Sequence, residues 1–572
     1  MKHKSILICL VLFLFGFQAI AQENPFLGRW AIQTIGLPYG DGKMNLVITW
    51  GESYVAQGSD KVILEEVIID KDNFSATYQM GGYPVKIKLA LQKDGSLKGK
   101  MADMFEMTGT RTEGASVVVP EVRSHDYKPV SIEDLQGNWY GLYSGSPLTL
   151  TVEGNKMALV SEAFSSMNMN CEFSLKEGEP TGMSISAGAG MMVGEGLCAI
   201  DKDKLELLLV FGVPGQVPAP KSFDDGAGNP AASRFTLSRD KEIVEKATAK
   251  VDAPSAAALA FERNKRIGNG VNLNAVLDGL SGDKPIKDGV IKSIAKAGFN
   301  SVRIPIRWGD HTIKTAPYTI DPEFFKKVDS IVDECLKEGL AVTVDNHYYP
   351  VISFGFGPQD LSFEENIDRL YCIWEQLSAH YKDYSDETLF FELMNEPSLK
   401  LDPSLWNEIV ASCVKIIRHD NPGKTVIVTT PSLGQHWTIG LLRFPENEWN
   451  MIVDAHYYLP QTFTHQGLAY AMAGGLKDIK WDGTEADKAP LDQDFALLAR
   501  WSERTGRPVN IGEYGVCSNA DGSSKARYLS YIRGLIKKYG FSSNLWAFHR
   551  DTFQIYDEKT GKYDNSMLKA IK

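Results

Sequence analysis

The chain has 572 residues and a formal net charge of −12 at pH 7. Its 43% hydrophobic and 23% charged residues are typical of a globular protein and exclude disorder as a global description. Because no long basic run occurs, nucleic acid is not expected as a partner, and a neutral substrate fits the charge balance.

The first residues, MKHKSILICLVLFLFGFQAIAQ, are typical of a secretory signal peptide. A basic start precedes an apolar stretch, and Ala19 and Ala21 supply the small residues of a cleavage site. We expect residues 1–21 to be removed and the protein to be exported, as a secreted, periplasmic or cell-surface protein. The alternative is an uncleaved anchor, for which the apolar stretch is short. No later transmembrane segment is predicted.

Residues 22–240 alternate short apolar runs with Gly, Asp and Asn, a pattern typical of antiparallel β-structure. FLGRW and LQGNW place Trp30 and Trp139 at the start of two segments that close on TGTRT and SRFTLSR. We therefore predict two related β units, residues 22–112 and 131–240, whose Gly-x-Trp start is similar to lipocalin-like strands. Glycan binding, surface display and spacing are the alternatives for their role.

The cysteines after the signal peptide are scattered and lack the C-x-x-C spacing of a metal site. Cys171 and Cys198 could pair in an exported protein, whereas the other four are expected to be small core residues. No metal and no cofactor is predicted, and the sequence gives no indication of the oligomeric state.

Residues 241–262 are charged and then rich in alanine, so we predict a linker with helical tendency. Residues 263–572 alternate eight apolar strands with amphipathic helices, several of which end in glycine. This pattern predicts an α/β domain of the (β/α)8 TIM barrel type. The alternative, a doubly wound open sheet, would need a Gly-rich phosphate loop, and GNGVNLNA lacks that spacing.

Polar side chains end six of the predicted strands, and in such a barrel these ends meet at one face, where catalytic residues lie. Glu396 after strand four and Glu513 on strand seven would face each other, as hydrolysis of a glycosidic bond requires. Because a nearby cation favours a carboxylate, we expect Arg303 to hold Glu513 ionised and Glu396 to be the proton donor. The other strand-end residues are His347, Asn395, His456, Tyr458 and Trp546.

The motifs VRIP, DNH, FELMNEP, HYY, GEYG and LWAF stand in this order across about 300 residues. Together they resemble glycoside hydrolase family 5, the cellulase family of clan A. The resemblance implies a retaining mechanism, with Glu396 as acid/base and Glu513 as nucleophile. It further implies supporting roles for seven residues: Asn395 at the sugar 2-hydroxyl, Arg303 and Tyr458 beside the nucleophile, His347 and His456 along the −1 subsite, Trp546 as its stacking floor, and His465 as a further substrate contact.

The function so implied is an exported endo-acting β-1,4-glycanase that binds a β-linked polysaccharide or oligosaccharide, of the cellulose, β-glucan or glucomannan type. A β-mannanase of the same family is one alternative, and a non-catalytic carbohydrate-binding protein with a degenerate barrel is another. The presence of both glutamates argues for an enzyme. Asn274–Ala275 replaces the Gly-Asn pair that the family often has after its first strand, which leaves the preferred polysaccharide open.

Flat aromatic rings stack on sugar rings, so a polysaccharide cleft needs several of them. Besides Trp546, Trp437 after strand five is a candidate for such a contact. Further candidates are Trp308, Tyr348, Tyr349, Phe463 and Trp481.

Overall fold

A computed structural model describes most of residues 26–113 and 129–572; the longest stretches left out are 1–25, 114–128, 162–168, 224–231 and 353–360. The predicted signal peptide therefore lies outside the described residues. One compact unit covers residues 19–126, and another contains residues 127–572. Among the helices in the described part of the chain, none combines the length and apolar character needed to cross a bilayer.

The first unit is one antiparallel sheet whose first strand pairs with its last, in the order β4-β3-β2-β1-β9-β8-β7-β6-β5. Alternation along these strands buries one row of apolar side chains, including Trp30, Leu46, Phe74 and Ile87. The strands are β1 (Gly28–Ile35), β2 (Gly42–Ile48), β3 (Tyr54–Gln57), β4 (Asp60–Ile63), β5 (Glu65–Asp70), β6 (Asn73–Met80), β7 (Tyr83–Leu91), β8 (Leu97–Met101) and β9 (Phe105–Glu113).

The second β region is a closed antiparallel barrel of eight strands, called here the β10–β17 barrel. A short helix, α1 (Ile132–Leu135), precedes it and is capped by Ser131. The strands are β10 (Gly137–Tyr143), β11 (Ser146–Glu153), β12 (Lys156–Ser161), β13 (Met169–Lys176), β14 (Thr181–Ala187), β15 (Met192–Asp201), β16 (Lys204–Gly212) and β17 (Ala232–Ser238). The all-β fold predicted for this part of the chain is confirmed.

The two β regions share one local arrangement around their first tryptophan. The indole N–H of Trp30 and that of Trp139 each donate to the carbonyl oxygen four residues earlier, at 2.7 and 2.8 Å. The guanidinium of Arg111 lies 4.3 Å from the Trp30 ring, and that of Arg239 lies 3.6 Å from the Trp139 ring. Arg111 lies on the closing strand β9 and Arg239 directly follows the closing strand β17, so in each unit the same cation–π contact joins the first strand to the end of the last. This common geometry supports the predicted relationship between the units.

The segment predicted as a linker contains two helices, α2 (Glu242–Thr248) and α3 (Ala256–Ile267). Helix α3 does not behave as a spacer. It buries Ala260, Asn264 and Ile267, and the Asn264 amide donates to the Val509 carbonyl oxygen at 3.1 Å. Since Ile267 packs with the first residues of several barrel strands, α3 closes the amino-terminal end of the following barrel.

Eight parallel strands then close into a second barrel, the β18–β25 barrel, in which β18 pairs with β25. The strands are β18 (Asn269–Asn272), β19 (Ser301–Ile306), β20 (Ala341–Asn346), β21 (Leu389–Glu392), β22 (Val426–Thr429), β23 (Met451–Tyr457), β24 (Val509–Tyr514) and β25 (Ser542–Leu545). The surrounding helices are α4 (Val290–Lys296), α5 (Pro322–Lys337), α6 (Phe363–His380), α7 (Pro403–Asp420), α8 (Glu485–Thr505), α9 (Gly522–Tyr539) and α10 (Asn565–Ala570). A two-stranded ribbon, β26 (Tyr556–Asp557) and β27 (Lys562–Tyr563), lies between the last strand and α10. The predicted (β/α)8 architecture is thus the observed one.

One connection of this barrel is short. Residues 430–450, all of which the structure describes, contain only a helical turn, Pro431–Gly434, and a 3-10 helix, His436–Leu441. The β10–β17 barrel packs against this connection, because its buried core includes Trp437 and also Leu497 from α8. The two barrels therefore share one apolar core at this place.

The possible disulfide is not formed, and both cysteines are free and buried. Cys171 on β13 faces Ala187 of β14, whereas Cys198 on β15 faces Thr181, six positions away along that strand. Six residues of strand extend roughly 20 Å, far beyond the Cα separation of about 7 Å that a disulfide allows. Burial raises the pKa of Cys171 to about 11 and that of Cys198 to about 12, so both behave as small apolar side chains.

Candidate active site

The residues predicted at the strand ends meet at the carboxyl-terminal end of the β18–β25 barrel. They come from six strands because parallel strands in a barrel all end at the same face. Arg303 lies on β19, His347 follows β20, Asn395 and Glu396 follow β21, His456 lies on β23 with Tyr458 just beyond, Glu513 lies on β24, and Trp546 follows β25.

The centre of this face is a pair of carboxyl groups. One carboxylate oxygen of Glu396 and one of Glu513 lie within 4.8 Å of each other and of the His456 ring nitrogen. The Glu396 side chain is 30% exposed, whereas that of Glu513 is 7% exposed. Glu396 is thus the carboxyl on the solvent side of the cleft, and Glu513 is the one beneath it.

Arg303 organises the floor of the site from a fully buried position. Its Nη1 donates to Glu513 Oε1 at 2.9 Å, and its Nε and Nη2 bind both oxygens of Glu392 at 2.7 and 2.6 Å. Nη2 also donates to Asn395 Oδ1 at 2.7 Å and lies 2.9 Å from Asp345 Oδ2. The planar guanidinium therefore fixes Glu513 and the Asn395 amide relative to one another, leaving the Asn395 NH2 group as the donor that can meet a sugar hydroxyl.

Replacing Arg303 with methionine is expected to destabilise the barrel by about 3–5 kcal/mol, because three buried carboxyl groups would lose their cation. The urea midpoint of unfolding measures this loss. Lys326→Met is the matched control, since Lys326 pairs with Glu323 at an exposed position, 71% and 75% accessible, where an ion pair contributes about 1 kcal/mol or less. Equal midpoints for the two variants would contradict the role assigned to Arg303.

The two carboxyl groups differ in pKa in the opposite sense to the sequence-based expectation. Burial raises the pKa of Glu513, and the nearby His456 and Arg303 cations do not fully offset it. Burial acts in the same direction on Glu396, but the hydrogen bond and the charge of His456, together with the charges of His347 and Arg303, outweigh it, so the pKa of Glu396 is lowered. Arg303 therefore does not make Glu513 the more acidic member of the pair.

His456 explains this reversal. Its Nδ1 lies 2.8 Å from Glu396 Oε1 and 3.6 Å from Glu513 Oε2, and its Nε2 lies 3.2 Å from Asp454 Oδ2. Burial lowers the pKa of His456, yet the three carboxylates around it raise that pKa well above its usual range. His456 and Glu396 consequently hold one proton between them along a short hydrogen bond.

Tyr458 and His465 form the next layer around Glu513. The Tyr458 hydroxyl donates to Glu513 Oε2 at 3.0 Å, so each oxygen of Glu513 has its own donor. Burial raises the pKa of the Tyr458 phenol, which keeps it protonated. His465 lies edge-on to the Tyr458 ring, 4.9 Å between centroids, and burial lowers its pKa to about 4, so it is neutral.

His347 and Trp546 form another part of the site. Their rings are stacked, with centroids 5.5 Å apart and planes 10° from parallel. His347 Nδ1 lies 2.6 Å from Asp345 Oδ2. Burial and the Arg303 cation lower the pKa of His347. Trp546 is partly exposed, so its ring offers a flat face to the cleft.

Several predicted aromatic contacts lie elsewhere. Trp437 is not at the site: it is 6% exposed and belongs to the core of the β10–β17 barrel. The other rings are core residues, and Tyr348 lies outside the described residues. Their exposed fractions are 0% for Trp308, 1% for Phe463, 2% for Trp481 and 4% for Tyr349.

Three buried acids belong to the site but were not predicted: Glu392, Asp345 and Asp454. Asp345 stands two residues before His347, and Asp454 stands two residues before His456. Because side chains two apart on a strand point to the same side, this spacing places each acid below its histidine. An acid within an otherwise apolar strand was the signal that could have identified them. Burial raises the pKa of Asp345 and of Glu392 to about 7, against the Arg303 cation.

Glu396, His456 and Glu513 also lie close enough together to bind a divalent cation. The same three groups would then be unavailable for proton transfer and nucleophilic attack. Hydrolysis by a carboxyl pair requires no metal, and the expected absence of a cofactor stays a prediction.

Known proteins resemble the part of the chain that carries this site. The family described as Cellulase (glycosyl hydrolase family 5) matches residues 265–552, half of the chain. Endoglucanase H of Acetivibrio thermocellus is 30% identical over 323 residues, which cover 54% of this chain and 33% of that protein. Cellodextrinase A of Ruminococcus flavefaciens is 27% identical over 265 residues, 46% of this chain and 77% of that protein. The chain thus spans only a third of the length of Endoglucanase H.

Solved structures give the same picture. Endoglucanase Cel5A of Thermotoga maritima is 35% identical, with a TM-score of 0.52, and covers 55% of this chain and 99% of its own. Structures of that enzyme in complex with mannotriose and with cellobiose match with 34% identity, a TM-score of 0.52, and 55% of this chain and 100% of their own. The resemblance predicted from the strand-end motifs is confirmed.

Proposed function

The chain belongs to glycosyl hydrolase family 5, and from this premise we propose that it is an exported, retaining endo-β-1,4-glycanase that cleaves cellulose-type β-glucan or glucomannan. The observation that carries the proposal is the close pair of carboxyl groups, with oxygens within 4.8 Å. Retaining enzymes place the two groups about 5–5.5 Å apart, whereas inverting enzymes need about 6.5–9.5 Å to admit a water molecule.

Glu513 acts as the nucleophile in this proposal. Its carboxylate attacks the anomeric carbon from below while the bond to the leaving sugar oxygen breaks. Arg303 and Tyr458 hold one oxygen each, which fixes the direction of attack. The product of this step is a glycosyl ester on Glu513, and Glu396 has donated a proton to the departing oxygen. Glu396 then removes a proton from water, and that water attacks the same carbon and releases Glu513.

His456 supplies the proton to Glu396. In this proposal the proton starts on the imidazole, whose pKa is raised well above its usual range and whose Nδ1 lies 2.8 Å from Glu396 Oε1. As negative charge develops on the leaving oxygen, the proton moves to Glu396 and on to that oxygen. This route lets a carboxyl with a lowered pKa serve as a general acid near neutral pH.

Replacing His456 with asparagine is expected to narrow the bell-shaped pH profile of kcat/KM from both sides. The basic limb moves to lower pH, because the proton is then lost at the pKa of the Glu396 carboxyl rather than at that of the pair. The acidic limb moves to higher pH, because the His456 charge no longer lowers the pKa of Glu513. His465→Asn is the control: His465 is neutral, so its loss leaves both limbs in place. An unchanged profile for His456→Asn would refute the proton-sharing role.

The substrate class follows from the walls of the cleft and from the similar proteins. Trp546 offers a stacking face, and Asn395 offers an amide oriented by Arg303. The similar Cel5A structures hold cellobiose and mannotriose, which are gluco- and manno-configured. Glucomannan contains both sugars and is therefore a substrate that this cleft is proposed to accept. The mannotriose complex also favours the second candidate, a β-mannanase.

The test is an assay of the full-length protein on carboxymethylcellulose, mixed-linkage β-glucan, glucomannan, xyloglucan and mannan. We expect turnover of β-glucan and glucomannan, with viscosity falling faster than reducing ends appear, as endo cleavage requires. Proton NMR of the first product should show the β anomer. Activity on none of the polymers would favour the non-catalytic binding protein, fastest turnover of pure mannan would favour the mannanase, and an α anomer would rule out retention.

Export is tested separately. Expressed in a bacterium with its own first 21 residues, the protein should leave the cytoplasm and begin at Gln22 by mass spectrometry. Full-length protein retained in the cytoplasm would contradict this part of the proposal.

A further inference from the structure

The connection after β22, residues Pro431–Leu442, contacts two very different parts of the molecule. At one end it packs against the β10–β17 barrel. At the other end it touches the residues that carry the proton for catalysis. We call it the strand-five connection.

The contact between the strand-five connection and the β10–β17 barrel is apolar, and its backbones touch without space for a side chain. Trp437 extends into the core of the β10–β17 barrel beside Leu497 of α8. At Gly440 the backbones touch: a Cβ on Gly145, in the turn between β10 and β11, would lie 2.1 Å from the Gly440 carbonyl oxygen. Gly145 has φ +74°, so a side chain there is disfavoured twice. Such contact leaves the β10–β17 barrel little freedom to shift on the connection.

The other end adjoins the proton carriers. The Leu433 N–H donates to the carbonyl oxygen of Pro397 at 2.9 Å, and Pro397 directly follows Glu396. Gln435 forms a parallel bridge with His456. A Cβ on Gly434 would lie 3.0 Å from the His456 ring, so this backbone packs directly on the imidazole. The connection thus forms the support behind both Glu396 and His456.

The backbone is strained at the end that adjoins the proton carriers. Ser432 and Leu433 both lie in the left-handed region, with φ of 57° and 68°. Residues other than glycine keep this conformation only when their surroundings enforce it. The Thr438 hydroxyl donates to the Pro431 carbonyl oxygen at 2.7 Å and ties the strained turn to the 3-10 helix that carries Trp437.

We propose that the β10–β17 barrel is a positioning element for the acid/base step, and that Trp437 is the positioning residue through which it acts. By clamping the strand-five connection from outside, the barrel keeps the strained turn in place. The turn in turn keeps His456 and Glu396 at proton-transfer distance. This inference rests on the proposed function and gives the β10–β17 barrel a role other than glycan binding, display or spacing.

The test compares two aryl β-cellobiosides that differ only in leaving group, phenol and 2,4-dinitrophenol. Dinitrophenol departs without a proton, whereas phenol needs one, so the ratio of their kcat/KM values reports acid assistance. Two variants are expected to lower kcat/KM for the phenyl cellobioside about tenfold or more: Trp437→Ala and, on the β10–β17 barrel, Gly145→Val. This loss is a part of the rate enhancement that a general acid provides. For dinitrophenol the loss should be about threefold or less.

Trp308→Ala is the control, because Trp308 is also a buried tryptophan but packs on α5, at Phe324 and Phe325. A variant that only destabilises the protein lowers kcat/KM by the same factor for both cellobiosides. The control should therefore keep the wild-type ratio of the two kcat/KM values. If Trp437→Ala does not fold, Gly145→Val and Trp437→Phe decide the question. If the Trp437 and Gly145 variants keep the wild-type ratio of kcat/KM values, the inference is overturned, while the glycanase proposal stands. If the wild-type protein hydrolyses neither cellobioside, both the inference and the glycanase proposal are overturned.

Discussion

Glu513→Ala is expected to lower kcat on β-glucan by on the order of 10⁴-fold or more, the scale found when a covalent nucleophile is removed. The reason is that no glycosyl ester can form once the carboxylate below the anomeric carbon is absent. The fold should be retained, because Arg303 still pairs with Glu392 and Asp345. Urea midpoints and circular dichroism would establish this.

Azide gives this experiment its sharpest outcome. With the dinitrophenyl cellobioside as substrate, azide can enter the space that the Glu513 side chain leaves and attack the anomeric carbon from below. The product would be the α-glycosyl azide, formed with inversion. Tyr458→Phe serves as a graded control, since it removes only one of the two donors to Glu513 and should leave the mechanism retaining. Normal turnover by Glu513→Ala, or a β-glycosyl azide from it, would refute the nucleophile role.

Glu396→Ala is expected to lower kcat/KM on polysaccharides by about 10²–10⁴-fold, the usual contribution of a general acid. The first step on the dinitrophenyl cellobioside should remain fast, because that leaving group needs no proton. The second step should become slow, since no base activates water, so the glycosyl-enzyme should accumulate and dinitrophenol should appear in a burst.

Azide again identifies the residue, with the opposite stereochemistry. It needs no general base and should attack the accumulated ester from above, restoring turnover and giving the β-glycosyl azide. Glu448→Ala is a suitable control, because Glu448 is a partly buried glutamate that pairs with Arg418 far from the cleft. The absence of a burst, or equal losses on both substrates, would contradict the acid/base role of Glu396.

The sequence predicted which residues form the site better than it predicted the pKa order of the two carboxyl groups. Glu396, Glu513 and Arg303 could be identified because each ends or lies on an apolar strand, and barrel geometry brings such ends together. The pKa of Glu513 depends on the balance between burial and the cations of two other strands. No pattern within one strand contains that balance, so the expected order of the two carboxyl groups came out reversed.

Trp437 shows a second limit of sequence patterns. An aromatic residue just after a barrel strand has the same local sequence whether its ring faces a sugar or another domain. Only the approach of the β10–β17 barrel, which lies at residues 137–238 of the sequence, decides between the two. The possible cysteine pair fails for a similar reason, since the pairing register of β14 with β13 and β15 separates Cys171 from Cys198 and cannot be seen in the spacing of two cysteines along the sequence.

The apolar core shared by the two barrels has a consequence for how this gene can be divided or recombined. Residue 263, the predicted start of the catalytic domain, lies inside helix α3, so a division there would also interrupt a helix that packs on the β18–β25 barrel. A fragment that starts at residue 263 would expose Trp437 and Leu497 to water. An unrelated domain fused before it would have to reproduce the close backbone contact that Gly145 makes with Gly440. We therefore expect the two barrels to fold correctly only when they are expressed together, although they have different folds.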